Sequence, residues 1–361
     1  MADGSAALAF TAEVEAATAP VWEKVRARVT PLEWRLHAPL IDEINRLKRE
    51  RGAVVLAHSY MTPEIFHGVG DFVGDSLGLA REAARSEAAI IVQAGVHFMA
   101  ETSKILCPEK TVLIPDLAAG CSLAASITAA DVRLIKQRHP GLPVVTYVNT
   151  TADVKAETDI CCTSANAVQV VEHIARAWGV ERVILLPDEF LARNVARQTS
   201  IGIIAWRGRC EVHERFTADD IRELREAWPH AEILAHPECP TEVVEAADFA
   251  GSTTAMGDYV RNRKPRQVVL ITECSMADNI ACQAPETEFV RPCNLCPHMK
   301  RITLEGIHQS LLHTRFEVNV DPAVAMRVRA SVQAMIDLPR PAVPARYDLV
   351  KARHHVDVEL I

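Results

Sequence analysis

Four sets of chemically capable residues recur along this chain at nearly one spacing. Cys121, Cys210 and Cys296 lie 89 and 86 residues apart. His58, Tyr147 and His236 are each 89 apart, as are Tyr60, Asn149 and Glu238, and Ser76, Ser164 and Ser252 are spaced by 88 and 88. Thiolates hold soft metals, a carboxylate and phenols can move protons, and imidazoles donate hydrogen bonds to anionic oxygens. Small hydroxyl residues at helix starts cap helices, or receive carboxylates and phosphates there.

The elements that must position these groups repeat with them. Helix-like stretches beginning at Pro39, Thr128 and Thr217 lead into apolar strands at 53–60, 144–149 and 232–238. The helix starts differ by 89 and 89, and Thr303 opens another helix 86 residues after Thr217. Each first strand is followed by a polar turn, Gly74–Ser76, Thr163–Ser164 or Gly251–Thr253, and then by an amphipathic helix. Second apolar runs follow at 89–93, 183–187 and 268–272. Third runs, at 112–115, 201–205 and more weakly 289–291, end near the repeated cysteines.

Short apolar runs alternating with helical stretches indicate βαβ units with parallel strands. Right-handed crossovers put the strand C-termini of each sheet on one edge, where ligands of open α/β sheets bind. The expected fold is three three-layer α/β/α domains related by a pseudo-threefold axis, with the active site at their central junction. The expected boundaries are an N-terminal extension 1–37, domains 38–126, 127–215 and 216–302, and a C-terminal helix and tail 303–361 packing back on them. Three duplicated domains strung independently would also explain the helices, strands and capping hydroxyls, but not a cysteine at one place in each copy.

Three thiolates brought together by three loops suit a [4Fe–4S] cluster. Three ligands leave one iron open to take a substrate hydroxyl or carboxylate as a Lewis acid. The pair Cys293 and Cys296, spaced C-x-x-C, also fits a zinc site or a redox dithiol, although no second such pair accompanies it. Cys161 and Cys162 adjoin, and Cys107, Cys239, Cys274 and Cys282 have no repeat-matched spacing; these read as packing residues. A chain of 361 residues with ten cysteines is too long for a small disulfide scaffold, so reduced thiols in a cytoplasmic protein are expected. The net charge of −8, without a basic stripe, argues against nucleic acid as a partner, and the sequence has no long apolar run to span a membrane. Residues 1–37 lack the pattern of a secretory or transit signal.

Across residues 50–305 the motifs Val55–Tyr60, Asp71–Ser76, Val145–Thr150, Thr163–Asn166, Trp206–His213, Ala235–Glu238, Gly251–Thr253 and Cys296–Met299 resemble, in order, those of the quinolinate synthase family. The resemblance implies a triangle of three similar α/β domains and a cluster held by Cys121, Cys210 and Cys296. It also implies condensation of iminoaspartate with dihydroxyacetone phosphate to quinolinate, phosphate and two waters, in NAD biosynthesis. The imine would come from an aspartate-oxidising enzyme. Two segments depart from the family pattern: Val290 stands where some members carry a further cysteine, and Thr272–Met276 lacks a Glu-x-Gly sequence.

Within that frame Glu238 is the expected acid/base, with Tyr60 as a second proton carrier. Tyr147 and Asn149 orient a carbonyl or carboxylate, and His58 and His236 donate to anionic oxygens. Ser76, Ser164, Ser252 and Thr253 are expected to receive substrate carboxylates or phosphate, and His213 to close the site over phosphate. Two other classes stay open on the residues alone: a non-catalytic zinc module using Cys293 and Cys296, and a metal-free sugar-phosphate lyase using Glu238 and the histidines.

Overall fold

The computed structural model describes residues 8–339 and 358–361. Its elements run in three similar passages. The first comprises α1 (Ala12–Val25), α2 (Pro31–Arg51), β1 (Ala53–His58), α3 (Pro63–Gly68), β2 (Phe72–Gly74), α4 (Ser76–Arg85), β3 (Ile90–Ala94), α5 (His97–Leu106) and β4 (Thr111–Leu113). The second comprises α6 (Ser122–Ala125), α7 (Ala129–Arg138), β5 (Val144–Tyr147), α8 (Ala152–Lys155), β6 (Ile160–Cys162), α9 (Ala167–Trp178), β7 (Arg182–Leu186), α10 (Glu189–Ala196) and β8 (Gly202–Ala205). The third comprises α11 (Ala218–Ala227), β9 (Glu232–Ala235), α12 (Thr241–Ala246), β10 (Phe249–Ala250), α13 (Thr253–Arg263), β11 (Gln267–Ile271), α14 (Cys274–Ala281) and β12 (Glu288–Val290). Helices α15 (Leu304–His313) and α16 (Pro322–Asp337) and strand β13 (Val358–Leu360) follow.

Each passage makes one parallel sheet, and all three sheets share a strand order. The orders are β2-β1-β3-β4, β6-β5-β7-β8 and β10-β9-β11-β12, with β13 added parallel to β8. Helices cover both faces of such sheets, which is why the central strands read as unbroken apolar runs rather than alternating ones. Val55, Leu56 and Ala57 of β1 are fully buried, as are Val144 and Val145 of β5 and Leu234 and Ala235 of β9. The fold is thus the α/β class expected, with three parallel sheets.

Helix starts follow the sequence where their caps are local. Thr128 and Thr217 form capping boxes with Asp131 and Asp220, opening α7 and α11, and Thr303 caps α15. The first copy differs. Its helix begins at Pro31 rather than Pro39, because Thr30 and Glu33 form the capping box and Pro31 takes the first helical position. Pro39 lies inside the helix.

Strands β2, β6 and β10 are edge strands of two or three residues that the hydrophobic pattern does not announce. Each follows an aspartate that hydrogen-bonds the neighbouring central strand. Asp71 accepts from Val55 N at 2.8 Å, Asp159 from Val144 N at 2.7 Å and Asp248 from Ile233 N at 2.8 Å. After α15 the chain crosses the edge of β4, where Val318 N donates to Val112 O and Ile114 N to Phe316 O. Pro339 lies just beyond α16, whereas Pro341 and Pro344, also expected in an irregular tail, fall outside the described residues.

Candidate active site at the junction of the three sheets

The C-terminal ends of β1, β5 and β9 open onto one cavity, with about 730 Å³ of atom-free space counting its mouth. His58, Tyr60, Ser76, Tyr147, Asn149, Ser164, His213, His236, Glu238 and Thr253 line it, together with Cys121, Cys210 and Cys296. Residues from all three passages therefore share one site, which separates this arrangement from three independent domains. Ser252 is the exception among the expected site residues. It is buried and caps α13, its side chain accepting from Ala255 N at 3.3 Å, and it is not among the cavity-lining residues.

The other two hydroxyls of that set also sit differently from expectation. Asp75, not Ser76, caps α4, accepting from Gly78 N at 2.8 Å, and Ser76 is the first helical residue. Helix α9 starts at Ala167, so Ser164 lies in the preceding turn. With Asp75 capping α4 and Asn166 at the start of α9, neither serine is used as a cap and both line the cavity.

Two histidines are held in one way at equivalent positions. Tyr60 N donates to His58 Nδ1 at 3.1 Å, and Glu238 N donates to His236 Nδ1 at 3.3 Å. With Nδ1 an acceptor, the ring proton sits on Nε2. Burial lowers the pKa of His58 to about 4 and of His236 to about 3, so both rings are neutral at ordinary pH. Each offers one N–H; His236 Nε2 lies 3.3 Å from Ser164 Oγ.

Glu238 is the charged centre of the cavity. Burial alone would raise its pKa, but the His213 ring, with Nδ1 2.8 Å from Oε2, then His236 and the Tyr147 hydroxyl hold it well below the usual carboxylate range. The Tyr147 hydroxyl donates to Oε1. On its other side, His213 Nε2 lies 2.9 Å from Thr272 Oγ1, which is 2.7 Å from the Tyr60 hydroxyl. Tyr60, Thr272, His213, Glu238 and Tyr147 form one chain of polar contacts. His213 thus lies against Glu238 and lines the same cavity.

Burial pushes the Cys121 thiol up to about 12 and the Cys210 thiol well above its ordinary value, and it also raises Cys296. The thiols feel one another: Cys121 responds to Cys296, and Cys210 to Cys121. As thiolates sharing one pocket these groups would be compensated by a cation, and soft sulfur ligands select soft or borderline metals. The donor set fits an iron–sulfur cluster.

Chain-wide comparison agrees with this geometry. Residues 42–337 match the model of the quinolinate synthetase A protein family. The chain belongs to that family. It is 73% identical, over a 367-position alignment covering all of both chains, to the quinolinate synthase of Caulobacter vibrioides. It is 63% identical to quinolinate synthase 1 of Mesorhizobium japonicum, over 88% of this chain and 97% of that one. The quinolinate synthase of Xylella fastidiosa is 62% identical over 82% of this chain and 86% of its own. Among the described residues no helix is long and apolar enough to cross a membrane.

This family member also carries features that spacing did not reveal. Cys274 and Cys293 are joined in a disulfide, with Cα atoms 5.1 Å apart. That corrects both the reading of Cys274 as a packing residue and the pairing of Cys293 with Cys296 as a zinc or dithiol motif. A bridge between Glu273 and Asn294 lays the two segments side by side and brings together cysteines 19 residues apart, a contact that C-x-x-C spacing does not encode. Cys107, Cys161, Cys162 and Cys239 are buried free thiols. Thr272, Asp75 and Phe98 were also missed: the first acts through contacts between passages, and the other two look unexceptional in sequence.

Proposed function

We propose that the chain is a quinolinate synthase that condenses iminoaspartate with dihydroxyacetone phosphate to give quinolinate, phosphate and two waters. The observation that carries this reading is the convergence of Cys121, Cys210 and Cys296 with Glu238, two tyrosines and two neutral histidines on one cavity. The three cysteines would hold a [4Fe–4S] cluster. When bound, it supplies an open iron that polarises a substrate hydroxyl or carboxylate. A reducing cytoplasm would keep the ligand thiols available, and an aspartate-oxidising enzyme would supply the imine.

The protein's own groups account for binding and proton movement. Asn149 Oδ1 and Thr253 Oγ1 are buried without a hydrogen-bond partner, so both are free to meet a ligand. Ser76 and Thr253 open α4 and α13, where helix N-termini favour the carboxylates and phosphate of the substrates. His58 and His236 present Nε2–H donors to carbonyl or carboxylate oxygens without adding charge. In this reading Glu238, ionised and bonded to Tyr147, would take a proton during ring closure, and Tyr60, in contact with Thr272, would return one.

Anaerobic purification with iron and sulfide analysis tests the reading. About four irons and four sulfides per chain are expected, with quinolinate formed from the two substrates and both cluster and activity lost in Cys210→Ala. Protein that stays free of iron after anaerobic reconstitution, or full activity in Cys121→Ala, Cys210→Ala and Cys296→Ala, would overturn it.

A further inference from the structure

We infer that the cluster-free chain holds a mononuclear site for a zinc-class divalent ion, built from Cys210, His213 and Glu238. Only Cys210 is shared with the cysteine triad. The three ligand atoms lie within 4.8 Å of one another. His213 Nδ1 is 3.2 Å from Cys210 Sγ and 2.8 Å from Glu238 Oε2. Tetrahedral zinc with sulfur, nitrogen and oxygen ligands separates its donors by about 3.4–3.6 Å. To admit the ion, the 2.8 Å contact of His213 with Glu238 would open by about 0.6 Å and the 3.2 Å contact with Cys210 by about 0.3 Å, with Cys210 and Glu238 already within 4.8 Å of each other.

The surroundings have the form of a metal-site outer shell. A ligating histidine normally donates its other ring N–H to a fixed acceptor, and a ligating carboxylate is itself hydrogen-bonded. Here His213 Nε2 is 2.9 Å from Thr272 Oγ1, leaving the Nδ1 lone pair for the ion. Glu238 receives the Tyr147 hydroxyl on Oε1, and Oε2, which faces His213 Nδ1, is the oxygen that would turn to the ion. His213 and Glu238 are 1% and 3% exposed, so the ligands are held in place by packing. One thiolate and one carboxylate neutralise a dication, and a fourth position opens to the cavity. A sulfur–nitrogen–oxygen set of this kind suits zinc or cobalt better than calcium or magnesium, which take oxygen ligands. The spacing within the chain is short, Cys210 and His213 being three residues apart, while Glu238 comes from the next passage. The ion would therefore tie two passages together before any cluster is assembled, and would occupy a thiol the cluster needs.

The test is a titration of the full-length, metal-free, reduced chain with cobalt(II) as the spectroscopic probe, under argon. Wild type should bind one equivalent, with a thiolate-to-cobalt charge-transfer band and intense tetrahedral ligand-field absorption, both erased by one equivalent of zinc. Cys210→Ala should lose the charge-transfer band. Glu238→Gln should weaken binding at least about tenfold, and Thr272→Val about 10- to 100-fold. Cys121→Ala, Cys296→Ala and Cys293→Ser should keep both band and affinity, which also shows that cysteine variants of this chain fold. Survival of the band in Cys210→Ala overturns the proposal. So does its loss in Cys121→Ala or Cys296→Ala, which would place the ion on the thiol triad. An iron-free wild type after reconstitution would overturn the cluster reading alone and leave the cobalt result standing.

Discussion

The loops that follow β1 and β9 and the loop that follows β5 solve one mechanical problem in two ways. In each, the third residue after the repeated His58, Tyr147 or His236 presents a carbonyl to a side chain that pins the loop. Asn279, on α14 of the third passage, donates to Met61 O and also to Ser59 O, at 2.7 and 3.0 Å. Asn194, on α10 of the second passage, donates to Cys239 O and Pro237 O, at 2.9 and 2.8 Å. The equivalent carbonyl in the middle loop, Thr150 O, takes its bond from Lys155 Nζ at 2.5 Å, a residue of the same passage. The first two loops are thus held by a neutral, two-pronged clasp from a neighbouring sheet. The third is held by a buried cation, lying 5.3 Å from the centre of the Phe98 ring. Glu101 completes the round by accepting from Ala152 N at 3.0 Å. The difference shows that the repeat preserves the point of restraint and not the residue that applies it.

Acid should expose this difference most strongly, because the two asparagine-clasped loops carry the buried neutral histidines and the middle loop carries Tyr147. The folded pKa values of His58 and His236, about 4 and about 3, lie below the unfolded value of 6.5. Below pH 6.5 the unfolded chain takes up protons that the folded chain does not, so stability is full above that pH and falls toward pH 4. For His58 alone the shift corresponds to on the order of 3 kcal/mol. Denaturant unfolding of the cluster-free chain across pH 7.5 to 4 should show this decline, and His58→Gln should flatten it. A wild-type stability curve that is flat below pH 6.5 would refute the neutral-histidine assignment.

Removing a clasp comes next. Asn279→Ala and Asn194→Ala each leave two loop carbonyls without their partner, a loss of about 2–3 kcal/mol. A loop displacement on the order of 1 Å would lower kcat/KM about a hundredfold. Equal effects in the two variants would support the equivalence of the clasps. A variant with unchanged kinetics would show its loop to be held by other contacts.

Ser252→Ala supplies a control of about 1 kcal/mol, the cost of a lost N-cap, with KM unchanged because Ser252 does not line the cavity. A rise in KM would return Ser252 to the binding residues. Lys155→Met should change stability least, by less than about 1 kcal/mol. Burial disfavours the ammonium and pulls its pKa down, with Glu101 acting against that effect, so removing the charge relieves a cost while losing a bond. A loss as large as that of Asn279→Ala would mean that the cation is as firmly paired as the neutral clasps.

Much of the site was legible because its residues sit at strand ends that the 89-residue period marks. The three cysteines, the two histidines, Tyr60, Tyr147, Asn149 and Glu238 were all visible this way. Asn194, Asn279, Thr272 and Lys155 were not, since each is defined by a contact in space; the two asparagines do recur at the sixth position of α10 and α14, but inside helices rather than at strand ends. The edge strands β2, β6 and β10 are too short to show a pattern, and Asp71, Asp159 and Asp248, which hold them in place, look like ordinary surface acids. The disulfide joined two segments whose only sequence sign was a departure from the family motif at Thr272–Met276. Local capping signals carried further, failing where Asp75 displaced Ser76, where α9 began at Ala167 beyond Ser164, and where Thr30 started α2 early.

The end of the chain is distributed unevenly over these sheets. Residues 316–318 run along the outer side of β4, and Val358–Leu360 pair with the outer side of β8, so two of the three sheets end against C-terminal segments. Unpaired strand edges are templates for association with other chains. The C-terminal segments therefore act as selvedges, finishing cut edges that the repeated units leave raw. Without the pairing made by residues 316–318 and 358–360, the outer edges of β4 and β8 would lie open to other chains, and the first sign of their loss would be association edge to edge.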